Sequence, residues 1–276
     1  MIDQAAALRD LVRQQSAAQD AAKKRGSLPL TLVVGSKGGV GATTVAVYLS
    51  ASLARLGRRP LLIDADLYRS DAATICGVTE GGPLVDETGG CRDLETVVRP
   101  GPCGLSVLPG IWPTGKPVAL TDATWHRIRR SFESLPDRLD HVVIDSGSGH
   151  GEVRRKMWAD ADDVIVVTRP NDLAVMDAYA LIKIMREATL QERPTRLHLV
   201  VNGVRHAAEG ADVFARIDRS CQRFLGLRLN DLGAVVEHEA FQSAREFPAA
   251  LVAASDFADM ARRFQQVLAE SQEAAA

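Results

Sequence analysis

Short apolar runs alternate with amphipathic stretches along most of the chain. From Leu30 onward, several runs are apolar or β-branched at nearly every position, which is typical of strands buried on both faces of a sheet. The predicted strands are Leu30–Gly35, Pro60–Asp64, Leu105–Leu108, His141–Asp145, Asp163–Thr168, Arg196–Asn202 and Leu232–Val236. Helical periodicity predicts helices near 42–57, 121–135, 172–189, 208–226 and 254–270, and the Gly-, Pro- and acid-rich residues 78–104 predict an irregular connection. Buried strands separated by helices predict an α/β fold: a single domain with a mostly parallel sheet flanked by helices.

The N-terminal residues show a different pattern. Leu8, Leu11 and Val12 have helical spacing, and Asp3 lies where a carboxylate favours a helix N-terminus. A Lys- and Arg-rich stretch ending in Gly-Ser-Leu-Pro follows, which is typical of a solvated linker. The predicted organisation is a helical arm at 1–22, a linker at 23–29 and the α/β domain at 30–276.

Composition narrows the class of protein. The chain has 276 residues, of which 46% are hydrophobic, and this is enough to bury one large core. A net charge of -2 gives no reason to expect binding to nucleic acid, which usually requires a concentrated basic surface. The four cysteines have no C-x-x-C spacing, so we expect a reduced cytoplasmic protein without a zinc site or disulfides. No apolar run reaches the length of a signal peptide core or of a membrane span.

A glycine-rich loop follows the first predicted strand and leads into a helix. Its sequence is Ser36-Lys37-Gly38-Gly39-Val40-Gly41-Ala42-Thr43-Thr44. Glycines let successive backbone N–H groups turn toward a phosphate, and the helix N-terminus adds its positive dipole end. Thr43 is placed to offer its hydroxyl to a magnesium ion on the phosphates. An ordinary glycine-rich turn is the alternative, and the carboxylates described next favour a phosphate site.

Carboxylates follow two of the predicted strands. Asp64 ends the second strand, with Asp66 and Asp71 shortly after it, and Asp145 ends another strand. Ligands of parallel sheets bind beyond the carboxyl ends of the strands, so these groups would converge on the glycine-rich loop. Magnesium prefers such oxygen ligands. The pattern therefore predicts a site for a nucleotide with Mg²⁺.

The run Lys37-Gly38-Gly39-Val40-Gly41-x-Thr43-Thr44 resembles the deviant Walker A loop of the MinD/ParA ATPases. The resemblance implies that Lys37 reaches across an ATP-dependent homodimer to the partner's nucleotide, and that Asp66 helps to position the attacking water. The implied ATP-binding residues are Lys37, Gly38, Gly39, Val40, Gly41, Ala42, Thr43, Thr44 and Asn202. The implied magnesium ligands are Thr43, Asp64 and Asp145.

Two positions of the loop depart from the family pattern. Ser36 replaces the first glycine, and Ala42 stands where the family's phosphate-binding lysine should be. That lysine neutralises the phosphates during transfer, and losing one such group typically reduces rates by about 10²–10³. We therefore expect ATP binding with slow or absent hydrolysis. Lysine-lacking loops of this kind also resemble the CpaE/TadZ branch of the family.

The N-terminal run Asp3-Gln4-Ala5-Ala6-Ala7-Leu8-Arg9 resembles the D-Q-A-x-x-L-R helix of the FlhG (FleN/YlxH) flagellar regulators. In that branch the helix inserts into the GTPase FlhF and presents its glutamine near the GTP. The residues that the resemblance assigns to this partner are Asp3, Gln4, Ala5, Leu8 and Arg9. The alternative is an Ala-rich helix that packs on its own domain.

A second segment, Asp177-Ala-Tyr179-Ala-Leu-Ile-Lys183, also resembles the FlhG branch. Together the two segments imply a nucleotide-dependent regulator of flagellar number or placement that stimulates FlhF. This protein would be cytoplasmic, at the cell pole or peripheral to the inner membrane. The alternative is a CpaE/TadZ-like pseudo-ATPase scaffold that localises a polar pilus, secretion or cellulose machine.

Asn202 resembles the asparagine that contacts adenine in this family, and an asparagine in a strand-end turn is the alternative. The stretch from Leu232 to His238 falls where the family usually has Gly-x-x-Pro-x-Asp, and Val236 and His238 replace the proline and the aspartate of that pattern. We expect His238 to be a surface residue. The nucleoside end of the site is therefore less well defined by sequence than the phosphate end.

Two other functions, and a membrane-surface helix at the C-terminus, are disfavoured. An iron–sulfur ATPase would need cysteines between Asp145 and Trp158, where the chain has none, and a plasmid-partition ATPase would need a basic surface for DNA. A membrane-surface helix at the C-terminus would be richer in Lys and Arg and would lack the acidic tail. We expect the final helix to pack in the core, with weak or indirect membrane association as the alternative.

Overall fold

A computed structural model describes residues 28–66, 71–78, 80–86, 89–111, 121–133, 139–148, 152–189, 195–237 and 255–275. The predicted helical arm at 1–22 lies outside the described residues, and so does His238.

The described strands form one sheet. Their bounds are β1 (Leu30–Gly35), β2 (Pro60–Asp64), β3 (Arg99–Pro100), β4 (Ser106–Leu108), β5 (His141–Ser148), β6 (Asp163–Thr168), β7 (Arg196–Val204) and β8 (Asn230–Val236). Their order across the sheet is β3-β4-β2-β5-β1-β6-β7-β8, and every neighbouring pair is parallel except β3 with β4. The central position of β1 brings the loop that follows it between the ends of β5 and β6.

Helices cover both faces of the sheet. They are α1 (Ala42–Arg55), α2 (Asp71–Ile75), α3 (Leu94–Val97), α4 (Asp122–Glu133), α5 (Glu152–Asp160), α6 (Asp172–Thr189), α7 (Ala207–Leu225) and α8 (Ser255–Ala275). One hydrophobic core lies between the sheet and α4 to α7, and a second lies between the opposite face and α1 with α8. The predicted α/β domain with a mostly parallel, doubly covered sheet is confirmed.

Several short elements differ from the prediction. The connection at 78–104 contains α3 and the edge strand β3, and β5 continues past Asp145 to Ser148. Sequence periodicity does not predict β3, because it is two residues long and is held by antiparallel pairing with β4. The prediction also omits α2 and α5. Two residues of α2 donate backbone N–H groups to Asp64, so this short helix depends on a tertiary contact.

The apolar face of α8 lies in the core. Phe257, Met260 and Phe264 are fully or almost fully buried, and the Phe257 ring stacks on Tyr48 with ring centroids 4.8 Å apart. The expectation that this face packs against the domain therefore agrees with the structure. No helix within the described ranges is both long enough and apolar enough to cross a bilayer.

A row of buried polar side chains crosses the sheet beneath α8. His141 Nε2 and the Thr31 hydroxyl are hydrogen-bonded at 2.8 Å, and His198 Nε2 lies 2.7 Å from Asp163 Oδ1. Both imidazole rings meet Phe264 edge-on, with centroids 5.6 and 5.5 Å from the phenyl centroid. Burial lowers the pKa of His141 to about 4, so its ring is neutral at pH 7. These contacts connect the amino ends of β1, β5, β6 and β7 with α8.

Candidate functional site

The glycine-rich loop is held between neighbouring strands and opens into α1. Ser36 donates its backbone N–H to the Val167 carbonyl at 2.9 Å, which fixes the start of the loop on β6. Gly39 and Gly41 have φ values of 79° and 90°, a left-handed conformation that side chains with a Cβ rarely adopt. Gly41 caps α1, so the unpaired N–H groups of the first turn face the cleft beside the loop. This arrangement favours an anion.

The cleft has a volume of about 510 Å³, within the usual range for small-molecule sites. Its described lining is Lys37, Gly38, Gly39, Val40, Gly41, Ala42, Thr43, Thr44, Asp66, Asp71, Thr74, Ile75, Gly147 and Ser148. The structure thus brings the predicted loop residues together with Asp66. Ala42 lies within this lining and contributes no positive charge.

Asn202 contacts the loop itself. Its Nδ2 donates to the Val40 carbonyl at 2.8 Å, and a Cβ at Gly41 would lie 2.1 Å from the same nitrogen. Asn202 therefore supports the conformation of the loop, a role that the sequence did not indicate. Its predicted contact with adenine stays a prediction.

Asp64 and Asp145 are directly paired neighbours on β2 and β5. Asp64 Oδ2 accepts hydrogen bonds from the backbone N–H groups of Ala72 at 3.0 Å and Ala73 at 3.3 Å. Its Oδ1 accepts from the Asp66 N–H at 3.2 Å. Burial, and then the charge of Asp145, raise the pKa of Asp64 to about 8. Asp64 thus holds α2 against the sheet, while its predicted role as a magnesium ligand stays a prediction.

Asp145 is fully buried, and its carboxylate uses only part of its hydrogen-bonding capacity. Its Oδ1 accepts from the Gly147 N–H at 3.1 Å, whereas its Oδ2 has no hydrogen-bond partner among the described residues. Burial raises the pKa of Asp145 to about 6, although the nearby Thr43 hydroxyl opposes this shift. A buried carboxylate oxygen without a donor, beside a threonine hydroxyl, fits a hard cation.

The described residues contain no cluster of three or more His, Cys, Asp or Glu side chains that could hold a metal by itself. This finding does not conflict with a magnesium site. Magnesium at phosphate sites typically takes only one or two protein ligands and completes its shell with phosphate oxygens and water. Thr43 and Asp145 together fit that kind of partial site.

Arg154 is a further charged residue beside the cleft, and no motif in the sequence indicates it as a site residue. It lies on α5, is buried, and its Nε donates to the Ser146 carbonyl at 2.6 Å. Arg154 shares the buried side of α5 with Met157 and Trp158. Arg154 has helical spacing from Met157 and Trp158, and this spacing is the sequence signal for a buried arginine. The signal depends on α5, which the sequence pattern does not predict.

Comparisons with known proteins establish the family. Residues 29–195 match a family model described as ParA: NUBPL iron-transfer P-loop NTPase. The antiactivator FleN of Pseudomonas aeruginosa is 32% identical over 212 residues, which cover 77% of this chain and 75% of FleN. This chain belongs to the ParA/MinD family of P-loop NTPases. The glycine-rich loop is accordingly the P-loop of this family member.

Two further likenesses agree with this assignment. The flagellum site-determining protein YlxH of Helicobacter pylori is 26% identical over 214 residues, covering 76% of this chain and 70% of YlxH. The fold resembles that of the septum site-determining protein MinD from Pyrococcus horikoshii, solved with Mg-ADP. The TM-score is 0.61 at 20% identity, and the match covers 87% of this chain and 96% of MinD. The predicted family and fold are thereby confirmed.

Proposed function

We propose that this chain is a nucleotide-dependent regulator of flagellar number or placement, acting in the cytoplasm at the cell pole or inner membrane. The observation that carries the proposal is the 32% identity with FleN across 75% of that antiactivator. The similarity to YlxH, named as a flagellum site-determining protein, supports the same role. The first test is whether deleting the gene changes the number or position of flagella. Unchanged flagella, with normal growth, would contradict the proposal.

ATP with Mg²⁺ is the proposed ligand of the cleft. Backbone N–H groups of the loop from Gly38 to Thr43 would hold the phosphates, and Thr43 with Asp145 would hold the metal ion. Magnesium would neutralise part of the phosphate charge and orient the terminal phosphate. The cleft volume and the unpartnered Asp145 Oδ2 support this assignment.

Hydrolysis is expected to be slow. Asp66 lines the cleft, as expected of a side chain that orients the attacking water. At position 42 the cleft offers only the methyl group of Ala42, so no lysine neutralises the charge that shifts during phosphoryl transfer. The chain would therefore remain in its ATP-bound state for longer than a family member that has this lysine.

Lys37 is proposed to bridge two copies of the chain through the bound ATP. It lies in the cleft lining and is only partly buried, as a residue that reaches another subunit would be. We expect Lys37→Ala to remain monomeric with a non-hydrolysable ATP analogue under conditions in which the wild type dimerises, as measured by light scattering. Lys183→Ala, which removes an exposed lysine on α6, serves as the control. Equal dimerisation of all three proteins would rule out this role for Lys37.

The N-terminal arm is proposed to stimulate an FlhF-type GTPase through Gln4. A positioned amide can orient the attacking water, as glutamines do in other GTPases. We expect Gln4→Ala to abolish stimulation of GTP hydrolysis by purified FlhF, while Gln14→Ala in the same arm retains it. Unchanged stimulation by Gln4→Ala would show that the arm does not act through this residue.

Ala42 favours one other candidate function, a CpaE/TadZ-like scaffold that localises a polar machine without hydrolysing ATP. The scaffold hypothesis expects no effect on FlhF and does not require nucleotide binding. Stimulation of FlhF by the wild type would exclude it, whereas failure to stimulate FlhF together with polar localisation would favour it.

A further inference from the structure

Carboxylates crowd the nucleotide cleft. Asp66 and Asp71 line it, and Asp64, at the end of β2, is paired with Asp145 on β5. The carboxylates lie close together, because Asp64 and Asp145 are directly paired across β2 and β5 and the Asp66 carboxylate lies against Gly147 of β5. A polyphosphate that entered the cleft would add further negative charge. The site therefore requires compensating cations.

The described lining of the cleft supplies few cations. Lys37 is the lining residue with a positive charge, and Ala42 provides none. Magnesium would offset part of the negative charge. A second protein cation close to the cleft would therefore strengthen the binding of a phosphate group there.

Arg154 occupies the position where such a charge is needed. The Arg154 Nη2 lies 3.4 Å from the position that a Cβ atom on Gly147 would occupy. The Asp66 carboxylate, which lines the cleft, lies close to the same position. Gly147 has a φ of 67° and lines the cleft, so the guanidinium lies beside a cleft-lining glycine. The Arg154 Nε also fixes the Ser146 carbonyl at 2.6 Å. Arg154 therefore contacts the carboxyl-terminal end of β5 close to Asp66.

We propose that Arg154 is a positioning residue that supplies an internal positive charge beside this cleft and compensates for the lysine absent at Ala42 in nucleotide binding, although not in phosphoryl transfer. It holds Asp66 against the Asp145–Ser148 segment and lowers the electrostatic cost of placing a terminal phosphate beside them. This inference rests on the proposed nucleotide binding. Since the loop amides hold the inner phosphates, the effect of Arg154 falls mainly on the phosphate that ATP has and ADP lacks.

Nucleotide affinity tests the proposal directly. Wild type, Arg154→Gln, Arg154→Lys and Arg155→Gln are titrated calorimetrically with Mg²⁺ plus either a non-hydrolysable ATP analogue or ADP. Arg155→Gln is a matched control, since it removes the neighbouring, exposed arginine of the same helix. We expect Arg154→Gln to lose about tenfold or more of the triphosphate affinity, in keeping with the loss of a charge-assisted contact. We expect ADP affinity to change less than about threefold, Arg154→Lys to fall in between, and Arg155→Gln to match the wild type.

Equal losses for both nucleotides in Arg154→Gln would show a merely structural effect and would overturn the proposal, as would unchanged affinities. If Arg154→Gln does not fold, Arg154→Lys, which keeps the buried charge, decides between the same outcomes. A wild type that binds neither nucleotide would refute the proposed function itself, and this inference with it.

Hydrogen exchange without nucleotide provides a second measurement. Because Arg154 holds the Ser146 carbonyl, we expect the amides of the Asp145–Ser148 segment to exchange faster in Arg154→Gln than in the wild type. Arg155→Gln should leave their exchange unchanged. Exchange that is equally slow in all three proteins would show that Arg154 does not position this segment.

Discussion

At the scale of single residues, the phosphate loop depends on contacts with distant parts of the chain. Asn202 donates to the Val40 carbonyl across 162 positions of sequence, and Gly41 leaves the space that its amide occupies. The sequence predicted the loop and its glycines from their local pattern. It could not predict this contact, because the contact forms only once β1 and β7 take their places in the sheet.

The Gly41 contact leads to a prediction. Gly41→Ala would place a methyl group 2.1 Å from Asn202 Nδ2 and would impose a left-handed conformation on alanine, so we expect loss of nucleotide binding and of stability. Gly57→Ala is the matched control, because Gly57 also has a positive φ but no atom within 4 Å of the added Cβ. The control should be destabilised by only about 1–2 kcal/mol and should bind nucleotide normally. Denaturant unfolding and calorimetry measure the two effects, and normal binding by Gly41→Ala would contradict this account of the loop.

At the scale of elements, prediction succeeds where the sequence pattern alone determines the structure. The strands β1, β2 and β6 have the predicted bounds, because their residues are apolar on both faces. The helix α5 was missed, since Arg154 and its polar neighbours obscure the short apolar face made by Met157 and Trp158. Arg154 was missed as a site residue for the same reason.

The buried histidine on β5 gives a pH-dependent prediction. In the folded chain the pKa of His141 is lowered to about 4, whereas the unfolded chain has the ordinary value near 6.5, so unfolding takes up a proton below that pH. The contribution of His141 to stability is therefore lost as the pH falls from about 6.5 toward 4. Between pH 7 and pH 5 we expect His141→Gln to gain about 2 kcal/mol of unfolding free energy relative to the wild type.

Urea unfolding of both proteins at the two pH values measures this difference. The comparison with His141→Gln is needed because Asp64 and Asp145, whose pKa values are raised, shift stability in the opposite direction over the same range. A constant difference between the two proteins would show that His141 titrates normally in the folded state.

At the scale of the whole molecule, the order of the strands assembles the site. Because β1 lies between β5 and β6, the P-loop reaches Asp145 on one side and the Val167 carbonyl on the other. The α/β class follows from the sequence pattern, whereas the position of each strand in the sheet depends on tertiary packing.

The packing of α8 predicts how the whole chain behaves with membranes. Since Phe257, Met260 and Phe264 are held in the core, we expect the purified protein not to float with anionic vesicles, with or without an ATP analogue. A flotation assay measures this. Flotation that requires the analogue would mean that nucleotide binding releases α8, contrary to this account.

We propose that this family member binds ATP in the P-loop cleft and hydrolyses it slowly because of Ala42. Measuring nucleotide binding and turnover for the purified wild type beside Ala42→Lys tests it most directly, since position 42 lines the cleft and a lysine there can extend into it. We predict that both proteins bind MgATP and that the variant turns over ATP faster, by up to about 10²–10³-fold. Turnover by the wild type as fast as by the variant would contradict the role assigned to Ala42, and failure of both proteins to bind nucleotide would show that the cleft is not an ATP site.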